Sequence, residues 1–348
     1  MTAFEQMTRY GFGEVFFKRD AKANLCAIIA VHNTQRGPAL GGCRFATYES
    51  EELALIDALR LARGMTYKAA IARLPQGGGK SVIVRPQGGF DRTALFESFG
   101  RFVDGLGGRY ITAADSGTSE HDMDTIRTAT RHVTGMSKAK GGAGDPSPWT
   151  ALGVRRGIEA AVHFVTGRNS LQDVHVAIQG VGQVGYYLGK ELTQLGARLT
   201  VADIDESKAA RAASEFGAKV VSIGEISEVA CDVFAPCALG SSINAHTLPK
   251  LRCNIVAGGA NNQLAEPHHG EELMRHNIFY APDYAINAGG LIHVTHEAHG
   301  YDENKVREQT LRIYDTIIEI AERSKSSGLP PHQIADAMAE ERIENPSL

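Results

Sequence analysis

The chain has 348 residues, enough at roughly 150 residues per domain for two separate cores, and a formal charge of −4, too close to neutral for a nucleic-acid footprint. No apolar run approaches the ~20 residues that span a bilayer, and residues 1–18 carry no basic-then-apolar leader, so a cytoplasmic protein is expected. The five cysteines are odd in number and never form a CxxC pair, so they read as small buried hydrophobes in a reducing compartment, not a disulfide framework or metal site.

In chain order, residues 25–31 read as an unbroken apolar strand and 51–63 as a helix with acids in its first turn. Residues 81–84 and 110–113 read as short strands, each entered from a glycine-rich turn. Amphipathic helices are expected over 91–103 and 121–133. Gly141-Gly142-Ala143-Gly144-Asp145-Pro146-Ser147-Pro148 is the most loop-like stretch, and the main hinge is expected there, between domains 1–145 and 146–329. Past it, strands at 174–179, 198–202, 219–221, 232–235, 255–257 and 278–280 alternate with helices. That alternation predicts a mostly parallel sheet covered on both faces, and for the whole chain an α/β fold of two domains. Helical stretches at 304–325 and 332–343 follow.

Gly180-Val181-Gly182-Gln183-Val184-Gly185 follows the 174–179 strand and opens a helix, the context that gives a GxGxxG its meaning. Gly180 permits the tight turn, Gly182 lets backbone approach a pyrophosphate, and Gly185 lets helix and strand pack closely. The helix N-terminus then offers unpaired N–H groups to phosphates. Asp203, ending the next strand roughly 20 residues on, suits ribose hydroxyls and repels a 2′-phosphate, so NAD is expected in preference to NADP. The second domain is therefore expected to be a doubly wound, Rossmann-type dinucleotide-binding domain. A structural turn without a ligand is the alternative.

Gly77-Gly78-Gly79-Lys80-Ser81 has the look of a phosphate loop, but Leu74 stands where that pattern needs its first glycine, and a strand follows instead of a helix. A nucleotide triphosphatase is excluded. What remains is a lysine on a glycine-rich turn entering the apolar run 82–84. Low-dielectric surroundings favour the neutral amine of a lysine, which makes Lys80 a candidate base; a solvated surface charge is the ordinary alternative. Lys68 stands just after the 51–63 helix, and its like charge would add to the effect if the two lie close. Asp115 ends the 110–113 strand and suits either proton transfer or capping of the next loop.

Ordered motifs along nearly the whole chain carry a resemblance. They are Gly37-Pro38-Ala39-Leu40-Gly41-Gly42, Gly64-Met65-Thr66-Tyr67-Lys68, Gly77-Gly78-Gly79-Lys80, Gly108-Arg109-Tyr110-Ile111-Thr112-Ala113, Pro236-Cys237-Ala238-Leu239-Gly240, Gly259-Ala260-Asn261-Asn262-Gln263-Leu264, Tyr280-Ala281-Pro282-Asp283-Tyr284 and Asn287-Ala288-Gly289-Gly290. The chain resembles the glutamate/leucine/phenylalanine/valine amino-acid dehydrogenases, most closely their leucine-specific branch. The resemblance implies reversible oxidative deamination of an L-amino acid to a 2-oxo acid and ammonia, with Lys80 and Asp115 catalytic. It places Lys68 and Asn262 at the substrate carboxylate, and Thr150, the 180–185 turn, Asp203, Ala238, Asn261 and Asn287 at the NAD cofactor. It implies an N-terminal α/β substrate domain that the final helix, 330–348, packs back onto, closure of the two domains over the substrate, and a homo-oligomer, octameric or dimeric.

The same resemblance gives a pocket of Leu40, Gly41, Gly42, Met65, Ala113, Leu291 and Val294. Glutamate-specific relatives carry lysine where this chain has Leu40, so a γ-carboxylate finds no partner; branched aliphatic substrates are expected, leucine first, then valine and isoleucine. A phenylalanine dehydrogenase of the same family and a non-catalytic NAD-binding regulator are the alternatives. The sequence departs from common family residues at Cys43, Phe45, Ser116 and Leu291. His293, His296 and His299 share a predicted helix with Glu297 but lack the HExxH spacing, so no metal is expected.

Overall fold

Strand residues 27, 29 and 31 pack on one side of a sheet and 28 and 30 on the other, which is why residues 25–31 are apolar without alternation. The computed structural model describes residues 2–238, 240–298 and 300–345; Leu239 and His299, each part of a motif above, lie outside the described residues. The chain divides into two compact units, one of Met1–Asp145, His293–Asp302 and Ala339–Leu348, the other of Pro146–Ile292 and Glu303–Met338.

In the first unit, α1 (Ala3–Tyr10) precedes β1 (Glu14–Asp20), β2 (Leu25–Asn33), β3 (Ala39–Ala46), α2 (Glu51–Ile71), β4 (Gly77–Val84), α3 (Arg92–Asp104), β5 (Tyr110–Ala114) and α4 (Glu120–Arg127). The sheet order is β1-β2-β4-β3-β5, with β1 and β2 antiparallel to their neighbours and β3, β4 and β5 mutually parallel. Ala54, Leu55, Ala58, Leu59 and Ala62 of α2 cover one face. Leu95, Phe96, Phe99 and Val103 of α3, with Met123 and Ile126 of α4, cover the other.

Three expectations are corrected here. The glycine-rich turn at 77–79 is the first part of β4, paired on both sides, with Gly79 opposite Val31 and Gly77 opposite Ala39. Glycine inside a strand marks close approach of another backbone: a Cβ on Gly78 would stand 2.0 Å from the Thr66 amide nitrogen. The helix expected to stop at Arg63 continues through Gly64 to Ile71, because Thr66, Tyr67, Ala69, Ala70 and Ile71 keep burying a face after the glycine. Lys68 therefore sits on the helix. The helix expected to reach Val133 ends at Arg127, because the chain beyond it bridges Thr112 through Val133. The reading from sequence also passed over α1, capped reciprocally by Thr2 and Glu5, and both β1 and β3.

The second unit begins with α5 (Ser147–Thr166), which starts inside the expected hinge loop with Pro148 in its first turn, where a missing N–H costs nothing. Then come β6 (His175–Gln179), α6 (Gln183–Gln194), β7 (Arg198–Ala202), α7 (Glu206–Phe216), β8 (Lys219–Val220), β9 (Val233–Pro236), β10 (Ile255–Val256), α8 (His268–Arg275), β11 (Phe279–Tyr280) and α9 (Asp283–Ile286). The six strands are all parallel in the order β11-β10-β9-β6-β7-β8. Numbered from β6, that is the doubly wound 3-2-1-4-5-6 arrangement, whose order reverses between β6 and β9. The remaining helices are α10 (Gly289–Ala298), α11 (Glu303–Leu311), α12 (Ile313–Ser327) and α13 (Pro331–Glu344). Residues 304–325 are thus two helices broken at Arg312, not one. Among the described residues no helix is long and apolar enough to cross a membrane.

Candidate active site

Period-two alternation fixes the site in the first unit. Gly78, Lys80 and Val82 of β4 point to the α2 face, and the register places Leu40 beside Gly78 and Gly42 beside Ala113. Leu40, Gly42, Arg44, Ala113 and Lys80 therefore share one face, covered by the helix that carries Met65 and Lys68. Gly41, one residue out of phase, takes the carbonyl of Gly79 where its Cβ would be. The missing side chains at 41, 42 and 77–79 make room for neighbouring protein atoms, so the crowding they permit is internal to this unit.

Lys80 is 4% exposed. Its Nζ donates to Asp115 Oδ2, so two residues singled out separately in the sequence form one ion pair, with Lys80 buried and Asp115 partly so. Asp115 Oδ1 accepts the Ser116 N–H at 2.6 Å and faces Arg44 Nε at 3.5 Å. Burial raises the proton affinity of Asp115, but Lys80, the Ser116 amide and Arg44 outweigh it and hold the carboxyl below the usual carboxylate range. The Asp115 amide is bound by Thr118 Oγ1 at 2.8 Å, which fixes the turn. A Cβ on Gly42 would stand 2.7 Å from both Asp115 Cβ and Oδ2. Arg44 escaped the sequence reading, although alternation from Leu40 through Gly42 points to it.

In the second unit, Gly180 closes β6 with φ 93°, and a Cβ there would meet Ala238 at 2.8 Å. Gly182 is the N-cap of α6 and has nothing within 4 Å of its Cβ position, while that of Gly185 is filled by the Gly180 carbonyl oxygen at 2.0 Å. Gln183 and Val184 form the first turn of α6. Asp203, just past β7, accepts the Val181 N–H at 2.8 Å and the Asp205 N–H at 2.9 Å. Asn287 is 3% exposed; its Nδ2 donates to Asn261 Oδ1 at 2.8 Å and to the carbonyls of Gly259 and Ala260. Its Oδ1 is buried without a hydrogen-bond partner. An open helix N-terminus, a carboxylate at the next strand end and an orphaned amide oxygen are a donor and acceptor set suited to a dinucleotide.

Thr150 lies in the first turns of α5 beside Gly290, and Asn262 adopts φ 53° in the turn where its carbonyl accepts the Ser241 N–H. Leu291 and Val294 lie on α10, but Leu291 falls in the second unit and Val294 in the first. Glu297, read beside the histidines, is spent on backbone: it accepts the amides of Gly135, Met136 and Ala143 at 2.7, 3.3 and 2.9 Å. His293 contacts the Gly144 carbonyl and Tyr301 hydroxyl, each at 3.1 Å. His268, His269 and Glu272 bring ligand atoms within 4.8 Å of one another, but Nδ1 of His269 already accepts the Glu266 N–H at 3.0 Å.

A lysine–aspartate pair seated on a buried lysine in one α/β unit, and a glycine-rich turn at the switch point of a doubly wound second unit, define a two-domain amino-acid dehydrogenase. The chain belongs to the Glu/Leu/Phe/Val dehydrogenase family: the model of the family's dimerisation domain matches residues 14–132, and the glutamate/leucine/phenylalanine/valine dehydrogenase model matches 200–345. It is 50% identical over 344 residues to a leucine dehydrogenase of Thermoactinomyces intermedius, covering 99% of this chain and 94% of that one. It is 43% identical over 342 residues to a phenylalanine dehydrogenase of the same organism, covering 98% and 93%. The crystal structure of L-tryptophan dehydrogenase from Nostoc punctiforme superposes with a TM-score of 0.88 at 43% identity, covering 99% of each chain. Relatives named for three different amino acids are this similar, so kinship alone does not select the substrate.

Proposed function

We propose that the chain catalyses NAD-dependent, reversible oxidative deamination of a branched-chain aliphatic L-amino acid, leucine first and then valine and isoleucine, to the 2-oxo acid and ammonia. The observation that carries this reading is the Lys80–Asp115 pair, its lysine buried, on the face shared with Leu40, Gly42 and Ala113. When bound, NAD supplies the hydride acceptor. Gly182 leaves room for its pyrophosphate at the start of α6, and the orphaned Asn287 Oδ1 can accept from its carboxamide. The carboxylate of Asp203 favours a free ribose hydroxyl over a 2′-phosphate.

With the amino acid oxidised to its iminium, Lys80 Nζ takes a proton from the water that attacks the iminium carbon, its own proton having passed to Asp115 Oδ2. That oxygen then hands a proton to the departing nitrogen. Lys68, on α2, fixes the substrate carboxylate and so the aim of the Cα–H bond, and Asn262 is a second contact for that carboxylate. Leu40, 1% exposed, supplies an apolar wall with no partner for a γ-carboxylate. An aromatic L-amino acid is the second reading, favoured by the relatives named for phenylalanine and tryptophan. The family description of residues 14–132 supports self-association through the first unit.

The test is nicotinamide reduction with a panel of leucine, valine, isoleucine, phenylalanine, tryptophan, glutamate and 2-hydroxy acids. Leucine should give the highest kcat/KM, with valine within roughly 10–200-fold because one methylene discriminates weakly. A higher value for phenylalanine or tryptophan would replace the substrate assignment, and turnover of 2-hydroxy acids alone would overturn the deamination. The cofactor site has its own check. Gly182→Ala meets no protein atom and should change stability by less than about 1 kcal/mol, yet weaken NAD binding by about tenfold or more, read by calorimetry. Unchanged NAD affinity would remove Gly182 from the pyrophosphate site.

A further inference from the structure

We propose that Arg44 is a positioning residue for the deamination. It holds Asp115 through Oδ1 so that only Oδ2 meets Lys80, and Asp57 and Tyr48 hold Arg44 in turn. The inference rests on the reading of Lys80 and Asp115 as the proton-transfer pair.

Three elements converge on this guanidinium. Arg44 leaves β3 on the face covered by α2, and its Nη1 donates to both carboxylate oxygens of Asp57, on that helix, at 3.1 and 2.8 Å. Asp57 Oδ2 also accepts the Tyr48 hydroxyl at 2.6 Å. With one edge anchored, Nε is buried without a hydrogen bond and lies 3.5 Å from Asp115 Oδ1. The contact is Coulombic, not a formed hydrogen bond, so it can tighten or relax as Asp115 gains or gives up a proton.

The geometry separates two jobs that one carboxylate must do. Oδ2 exchanges a proton with Lys80, while Oδ1 is held by the Ser116 amide and Arg44. Without that hold the group could turn about its Cβ–Cγ bond and present either oxygen. The planar fork spans two carboxylates at once, and a lysine at 44 offers a single point charge in its place.

Several titratable groups act on Asp115: Lys80 from β4, Arg44 and the Cys43 thiol from β3, and the Tyr110 hydroxyl, held neutral by burial, from β5. The thiol is pushed up by burial to about 12, so it is neutral near pH 7. Asp122 on α4 is neutralised by Arg92, whose Nε and Nη2 donate to its two oxygens at 2.7 and 2.8 Å. Arg44 and Lys80 are the charged side chains that draw Asp115 toward its ionised form.

The experiment compares Arg44→Gln, Arg44→Lys and Asp57→Asn with the unaltered enzyme, measuring kcat, KM and the pH profile of kcat/KM on the best substrate, with NAD affinity as control. In Arg44→Gln the acid limb should move to higher pH by about one unit, because a positive neighbour of Asp115 is gone. Its kcat should fall at least tenfold with NAD affinity intact. Arg44→Lys should keep part of the limb position and still lose kcat. Asp57→Asn, which retains the charge but loosens its anchor, should lose kcat with little movement of the limb, and it keeps the test available if Arg44→Gln fails to fold. An acid limb and kcat equal to wild type in Arg44→Gln would overturn the proposal, as would a wild-type kcat in folded Asp57→Asn. Lys80→Ala and Asp115→Asn run alongside. If these keep turnover, the proton-transfer reading fails; if they are inactive while Arg44→Gln behaves as wild type, the failure is confined to Arg44.

Discussion

Lys80→Ala should lower kcat by about 10²–10⁴-fold, the span that a positioned acid or base contributes, while NAD binding changes little. The side chain is buried against Asp115, so its removal also strands a desolvated carboxylate and destabilises the first unit. Lys80→Arg separates the two effects. A guanidinium keeps the positive charge beside Asp115 but cannot give up a proton in this pH range, so stability should recover in part and turnover should not. The readouts are steady-state kinetics, calorimetric NAD binding and thermal unfolding. Turnover in Lys80→Arg within a few-fold of the unaltered enzyme would show that position 80 supplies charge alone.

Asp115 gives the same pair a pH signature in stability. Its carboxyl is held below the unfolded value by Lys80 and its other partners against the effect of burial. The stabilisation is therefore complete above the unfolded carboxylate value and is lost as the pH falls through the folded one.

Gly78→Ala should produce a large structural loss at the seam between this sheet and α2. The added carbon would stand 2.0 Å from the Thr66 nitrogen, 2.3 Å from its Oγ1 and 2.5 Å from its Cα. Backbone faces backbone, so no rotamer relieves the overlap, and α2 must lift from β4. Overpacking of this kind costs about 1–3 kcal/mol or more, and at about 2–4 °C per kcal/mol the midpoint of thermal unfolding should drop by several degrees. Met65 and Lys68 ride on the same turn of α2, so kcat/KM should fall with it. Gly64→Ala is the control within that helix. Nothing lies within 4 Å of its Cβ, and exchanging glycine for alanine in a helix should raise stability by up to about 1 kcal/mol. Equal midpoints for the two variants would contradict the close approach of α2 to β4.

The parallel sheet of the second unit was legible because its strands are short apolar runs, several entered or left through glycine. The GxGxxG turn stands between an apolar strand run and a helical run that the sequence itself marks. The first unit was harder to read. Two of its three interior strands contain Gly41-Gly42 and Gly77-Gly78-Gly79, and glycine ordinarily signals a turn, so β3 was missed and β4 was begun four residues late. What makes those segments strands is the tight seat of α2 and the neighbouring backbone, information held in positions far apart in sequence. Lys80 and Asp115 stand 35 residues apart. Each could be nominated alone, but their union needed the β3–β4–β5 register. Arg44 carries no motif, and only the strand's alternation and the reach of the guanidinium reveal it.

Each flank of the second unit's sheet is a strand of only two residues, β8 on one side and β11 on the other. An incoming extended segment would find almost no unsatisfied amide ladder to copy. This half of the molecule is thus poorly suited to fibrillar growth or strand exchange, and copies meeting here would have to do so through side chains.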